Sequence, residues 1–504
     1  MIYLKNMIRF VVFINGALIM IFELVASRVL APYLGSSIYV WTSIIGVILA
    51  SLSLGYYQGG FLADKILLKR NISDTNLDKN LLANLTLFSG FAIAITSLFE
   101  KSFLDFIVSL VTDQRLASLL ACILLFAPAS FLMGAVTSYS TRLEIVSLKT
   151  SGKALGTLYA ISTLGSIVGT FLGGFFLIGY FGTKMILVLL AFTMLALSLL
   201  IFGISFFKNR KRMSILISTI VFSLNFLFDK DPQVILDTDS NYSRILVYDT
   251  IYPYDKRPIR VLSTFRLSQT AMYLEGDDLV FDYLKTFTLF DFFKKDTKKI
   301  LMIGGGGYSI PKFILQNFKD KRIDVVEIDP KMTDIARKYF GLRDDQRVNI
   351  YHADGRSFIN KINLRYDLIF LDAYKSDFSM PFELITLEAL SEYKERLSDN
   401  GLLAINVISA LEGEKSHFLK ILVKTIKRVF PQVYIFKSNQ DREVIEDQNV
   451  VIFALKSNLK ADFGNSGKYK DEIKKLWIGN LDTDFEILTD DFAPIERYTL
   501  SLYK

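Results

Sequence analysis

At 504 residues the chain is long enough for two or three domains, and an apolar content of 51% is high for a wholly soluble protein. One cysteine, Cys122, excludes an intrachain disulfide framework or a cysteine zinc site, and two histidines, His352 and His417, leave little room for a histidine metal cluster, so no metal is expected. The net charge of +7 gathers partly in clusters such as residues 208–212 that flank apolar spans, where bases read as topology signals and no nucleic-acid partner is expected.

The apolar excess lies almost entirely before residue 230. Segments near 8–30, 40–62, 81–99, 116–140, 154–180 and 184–207 can each cross a bilayer core, which takes about 20 residues. The first is too long, and too lacking in a small-residue cleavage site, for a removable signal peptide, and is expected to stay as an anchor. Bases concentrate in alternate connections: Lys5 and Arg9, then Lys65, Lys69, Arg70 and Lys79, then Arg142, Lys149 and Lys153, then residues 208–212. The positive-inside rule predicts that these connections and the amino terminus are cytoplasmic. A shorter apolar run at 214–228 decides the rest: six crossings leave the C-terminal half in the cytoplasm, and seven put it outside. Gly55 with Gly59, and Gly165, Gly169 and Gly173, form small-residue ridges for close helix packing. Glu23 and Arg28 in the first span read either as a functional site or as a mutual pair. Residues 60–65, Gly-Phe-Leu-Ala-Asp-Lys, followed by Lys69-Arg70, resemble a cytoplasmic loop of major-facilitator transporters, which supports the orientation.

From 231 to about 290 the chain is β-rich, with strands predicted at 243–249, 259–263 and 269–273. A βα alternation begins at Lys298. The run Ile300-Leu301-Met302-Ile303 meets Gly304, Gly305, Gly306 and Gly307, a helix-compatible segment covers 310–318, and strand 323–326 leads into Glu327. Strand 348–352 ends near Asp354-Gly355, strand 366–371 ends at Asp372, and strand 402–407 follows a helix over 381–397. The alternation predicts an α/β domain with a parallel sheet covered on both faces. In such sheets ligands sit beyond the carboxyl ends of the strands. Glycines let the backbone approach a nucleotide closely, and an acid at the second strand's tip accepts from ribose hydroxyls. The expected organisation is an α-helical membrane bundle of six or seven spans over 1–229, a small β-domain over 230–290, and an α/β domain over 291–504.

The glycine run, Val326-Glu327-Ile328-Asp329, Asp354-Gly355-Arg356 and Leu371-Asp372-Ala373-Tyr374, in this order behind a small β-domain, resemble the spermidine synthases. These are aminopropyltransferases on the Rossmann-like S-adenosylmethionine methyltransferase fold. The apolar first half, Asp239-Ser240-Asn241-Tyr242-Ser243 and the late stretch 489–496 resemble bacterial membrane-fused members of that family. The resemblance implies that Glu327 holds the ribose of decarboxylated S-adenosylmethionine, Asp354 the adenine amino group, and the Gly304, Gly305 and Gly306 backbone the rest of the nucleoside, with Gly355 and Gln269 beside it. Asp372 is implied next to the amine nucleophile. Chemistry agrees, because an amine attacking a sulfonium carbon must be neutral and a carboxylate can take its proton. Tyr308, Asp377 and Asp491 are candidate substrate contacts; Asp490, Asp491 and Glu496 read equally as a solvated acidic turn. The chain departs from the family at Gly307, where an aspartate is usual, at Phe281-Asp282, where a Tyr-His-type pair is usual, and at Ser243 in place of a glutamine. These departures touch the transferred group and its acceptor, so S-adenosylmethionine-dependent methyl transfer stays an alternative, as does a transporter or sensor with a non-catalytic adenosyl- or polyamine-binding domain. The expected partners are a di- or polyamine and the lipid bilayer, with a homodimer as one assembly. No prosthetic group is expected. A cytosolic nucleoside donor favours a C-terminal half in the cytoplasm and a re-entrant or surface-lying 214–228.

Overall fold

The computed structural model describes residues 2–68, 75–145, 151–206, 209–224, 233–264, 267–374 and 380–503. The chain forms two compact units, Met1–Pro232 with Thr238–Arg244, and Gln233–Asp237 with Ile245–Lys504.

The first unit is helical: α1 (Ile2–Leu34), α2 (Ile38–Leu68), α3 (Thr75–Leu110), α4 (Gln114–Leu125), α5 (Ala127–Glu144), α6 (Ser151–Phe171), α7 (Ile178–Tyr180), α8 (Thr183–Phe202) and α9 (Arg210–Leu224). Among the described residues five helices are long and apolar enough to cross a membrane, or six if α4 and α5, which meet at 51°, count as one span. Pro128 in the first turn of α5 accounts for that break, because it has no N–H to continue the α4 ladder. A π-helical turn, Leu172–Leu177, joins α6 to α7.

Small residues set how these helices meet. A Cβ on Gly165 would lie 2.0 Å from the Phe13 carbonyl oxygen, and one on Gly169 would lie 2.3 Å from that of Ala17, so α1 and α6 run parallel in backbone contact. Gly55 meets the Phe131 carbonyl in the same way, at 2.1 Å. Helices α1 and α5 run antiparallel. Arg9 pairs with the buried Glu144 at 2.8 Å, the Asn15 amide donates to Thr137 at 2.8 Å, and the Phe22 and Phe126 rings lie 5.5 Å apart. At the same end Arg142 pairs with Asp64 at 2.8 Å. Arg28 donates to the carbonyl of Asn241.

Among the described residues the second unit holds two sheets. The first is antiparallel, in the order β1-β2-β3-β4: β1 (Val234–Asp239), β2 (Arg244–Ile251), β3 (Pro258–Thr264) and β4 (Leu267–Tyr273). Short helices α10 (Asp282–Phe287) and α11 (Phe290–Phe293) follow. The alternation then runs β5 (Lys299–Ile303), α12 (Ser309–Asn317), β6 (Arg322–Val326), α13 (Pro330–Tyr339), β7 (Val348–Tyr351), α14 (Gly355–Lys361), β8 (Tyr366–Leu371), α15 (Leu387–Arg396) and β9 (Leu397–Ser409). Helix α16 (His417–Val429), β10 (Gln432–Lys437), β11 (Gln448–Leu455), α17 (Lys470–Ile473), β12 (Leu476–Trp477) and α18 (Ile495–Thr499) complete it.

The large sheet has the order β12-β10-β11-β9-β8-β5-β6-β7. It is parallel from β7 to β9, as the alternation predicts, but β11 pairs antiparallel with both β9 and β10, so the sheet is mixed. Alternating side chains divide the core. Ile300 and Met302 face Phe287, Phe290 and Ile314 on one side, while Leu301 and Ile303 face Leu390, Tyr393 and Leu422 on the other. Helix α13 serves both sheets: Ala336 joins the large-sheet core, and Met332 and Ile335 pack with Ile245, Val247 and Leu262 of the small sheet.

Candidate active site

Strand register gathers the site. Ile303 at the end of β5 pairs with Val326 of β6 and with Leu371 of β8, so the next residues, Gly304, Glu327 and Asp372, leave the sheet side by side. With β5 between them, Glu327 and Asp372 start from backbones about 10 Å apart. The tip of β7 leads to Asp354 on the same edge.

The glycine turn is sterically required. Gly304 has φ +94°, and a Cβ there would lie 2.1 Å from the Asp372 carbonyl oxygen. The N–H groups of Gly305 and Gly306 donate to one oxygen of Glu327 at 2.8 and 3.1 Å, and the Asp329 N–H donates to the other at 2.9 Å. Glu327 is 7% exposed; burial raises its carboxyl above the ordinary range, and the three N–H donors partly oppose that shift. The loop also rests on the small sheet. A Cβ on Gly306 would lie 4.0 Å from the Gln269 carbonyl, and Thr270 and Ser309 share a hydroxyl hydrogen bond of 2.8 Å. A Cβ on Gly307 would lie 2.1 Å from Cγ2 of Thr270. Position 307 therefore has no room for the aspartate that the resemblance leads one to expect.

Tyr308 is not where the sequence suggested. It adopts a left-handed backbone, φ +59°, which turns its ring inward under the loop, where it is fully buried and its hydroxyl bonds Thr333 at 2.6 Å. That places its ring in the support of the loop.

Asp354 is exposed and caps α14, accepting from the Ser357 N–H at 2.8 Å. Gly355 lets the helix start against β5, since a Cβ there would meet Ile303 Cγ2 at 2.7 Å. Asp490 pairs with Arg356 at 2.8 Å and accepts from Thr386 at 2.6 Å, so it ties the late segment to α14 and α15. Asp491 is exposed beside it. Asp377 lies outside the described residues.

Asp372 has the most elaborate setting. Asn406 of β9 donates to Oδ1 at 2.9 Å, and the Tyr283 hydroxyl of α10 donates to Oδ2 at 3.2 Å. The Asn449 amide holds Asn406 in turn at 3.0 Å, and Tyr374 donates to the Asn406 carbonyl at 3.1 Å. Solvent still reaches part of Asp372, but the protein packed around it raises its carboxyl, with Asn406 and Tyr283 opposing that shift. Burial and the adjacent carboxylate push the Tyr283 hydroxyl well above its usual range, so it stays a donor. Neither Tyr283 nor Asn406 was singled out from the sequence. A visible signal existed for Asn406, a lone amide inside the apolar run 402–407.

The arrangement offers a glycine turn with a carboxylate on either side of it, each raised above its ordinary range by burial. Residues 286–440, which include all of these strand tips, match the spermine/spermidine synthase domain. The chain is 30% identical over 222 residues to the polyamine aminopropyltransferase of Vibrio vulnificus, covering 42% of this chain and 71% of that protein. It is 28% identical over 185 residues to an eEF1A lysine and N-terminal methyltransferase homolog of Drosophila melanogaster, covering 35% of this chain and 27% of that protein. Among solved structures, a probable spermidine synthase from Corynebacterium glutamicum aligns at 17% identity with a TM-score of 0.38, over 44% of this chain and 80% of that one. The spermidine synthase of Thermotoga maritima aligns at 18% identity with a TM-score of 0.37, over 53% of this chain and 87% of that one. With the Vibrio relative matched over most of its length, the chain belongs to the spermine/spermidine synthase family and is a transferase.

Proposed function

We propose that the protein transfers an aminopropyl group from decarboxylated S-adenosylmethionine to a di- or polyamine such as putrescine, and that the helical unit holds it in a lipid bilayer. The observation that carries this is the Asp372 carboxylate, oriented by the neutral donors Asn406 and Tyr283 and made more basic by burial. Neutral donors align the acid without neutralising it. In the reaction the amine lone pair forms a new N–C bond to the carbon on the sulfonium. The C–S bond breaks, its electron pair returns to sulfur as the thioether methylthioadenosine, and the ammonium so formed gives its proton to Asp372 or to water. Asp372 acts by keeping one amine neutral and by stabilising the charge that develops on its nitrogen. The glycine cradle and Glu327 would bind the nucleoside, and Asp354 would sit nearest its base.

One observation favours a second reading. Thr270 occupies the space of a side chain at 307, so the cradle lacks the carboxylate expected to meet the donor's amine end. Methyl transfer from S-adenosylmethionine would not need it in that place. Incubating the full-length protein with the decarboxylated donor and putrescine, cadaverine or agmatine should release methylthioadenosine, and Asp372→Asn should abolish the release. Calorimetry with both nucleosides separates the readings, because tighter binding of the carboxylated form would support methyl transfer.

A further inference from the structure

The helical unit shows where the chain stands before and after the end of α9. Helices α3 and α8 are antiparallel: the Ser198 hydroxyl donates to the Ala83 carbonyl at 2.7 Å, and a Cβ on Gly90 would lie 2.9 Å from the Ala191 carbonyl. Helix α8 has 20 residues, a length of about 30 Å, so its two ends stand on opposite sides of a bilayer core. Helix α9 starts at one of those ends, where the Arg212 guanidinium lies 3.7 Å from the centre of the Phe202 ring. Ten residues later Phe222 stacks on Phe91 at 6.0 Å, level with Ala191 and past the middle of α8. The next described part of the chain in this unit, Thr238–Arg244, is at the far end. There Asp239 accepts from the Thr183 N–H at 2.9 Å, and a Cβ on Gly179 would meet the Asn241 side chain at 2.5 Å. Foot, middle and top of the α3–α8 pair are reached in chain order. A re-entrant segment would return to the foot.

The foot is also the basic end. Arg9, Glu144, Arg142 and Asp64 pair there, and Arg210, Lys211 and Arg212 open α9 beside it. By the positive-inside rule this end is cytoplasmic.

We propose that the chain passes from the foot of α8 at Arg210 to its far end at Asp239, a seventh crossing, so that the half of the chain after Arg244 stands on the extracytoplasmic side of the membrane. The orientation does not depend on the transferase reading. Its consequence for substrate does rest on that reading: the acceptor is an extracytoplasmic amine, and the adenosyl donor has to be delivered from the cytosol to that side.

The test is labelling of the full-length chain in intact cells with a membrane-impermeant maleimide. The parent is a Cys122→Ser variant, and single cysteines are introduced as Asp399→Cys, whose side chain is 94% exposed, and as Lys211→Cys at the foot. The expected result is full labelling of Asp399→Cys in intact cells and none of Lys211→Cys until the cells are lysed. Protection of Asp399→Cys until lysis overturns the proposal. Alkaline phosphatase fused after Lys504 reads the same question without a cysteine: it should be active here, and would be inactive on a cytoplasmic C-terminus. Neither readout requires turnover, so absence of transferase activity leaves the orientation standing, and a cytoplasmic label leaves the transferase reading standing.

Discussion

The hydroxyl of Tyr283, in the short helix before the large sheet, donates to the carboxylate of Asp372 at 3.2 Å, across 89 positions of sequence. A hydrogen bond to a carboxylate favours its charged form, so removing the bond raises its pKa. Tyr283→Phe and Asn406→Ala are each expected to move the acid limb of the pH–rate profile to higher pH, because each removes a hydrogen bond that favours the charged form. In the unaltered enzyme that limb should already lie above the ordinary aspartate range, because burial holds the Asp372 carboxyl high. An acid limb at the ordinary value in all three proteins would show that Asp372 is not the titrating group.

Asp372→Asn should separate activity from stability. A carboxyl whose folded pKa is raised binds more protons in the folded than in the unfolded state between the two values, so stability falls as pH rises through that window. Replacing it with an amide removes the buried charge, and the thermal midpoint at neutral pH should hold or rise. Turnover should fall by about two to four orders of magnitude, the usual contribution of a positioned acid–base group. A lower midpoint with matching loss of activity would make Asp372 a structural residue.

The contact between Gly307 and Thr270 predicts coupling. Gly307→Ala should destabilise the protein by about 1–3 kcal/mol through overpacking, and Thr270→Gly should recover part of that loss when combined with it. Strict additivity in denaturant melts would mean the two positions do not collide.

Asp490 is held by Arg356 and Thr386, whereas Asp491 is exposed. Asp490→Ala is expected to lower stability by about 0.5–1 kcal/mol, as for a solvent-screened ion pair, with little change in KM for the amine. A raised KM at an unchanged midpoint would instead place Asp490 among the substrate contacts.

In the helical unit, Gly165→Leu should disrupt the α1–α6 contact, because the new side chain meets the Phe13 backbone, whereas a Cβ on Gly174 meets nothing within 4 Å. Thermal melts of the full-length protein in detergent should show a large loss for Gly165→Leu and almost none for Gly174→Leu.

Local pattern determined much of this protein. The long apolar helices, the glycine turn after an apolar strand, and acids closing successive strands are all properties of neighbouring residues, and strand periodicity alone sends Gly304, Glu327 and Asp372 to one sheet edge. Tertiary structure alone decided the rest, because it depends on groups far apart in the chain. The antiparallel β11 that makes the sheet mixed, the inward turn of Tyr308 from a left-handed backbone, and the Asn406 and Tyr283 donors on Asp372 are of this kind. So is the course of α9 along α8: hydropathy measures how apolar a segment is, but only packing against α3 and α8 reveals in which direction it runs.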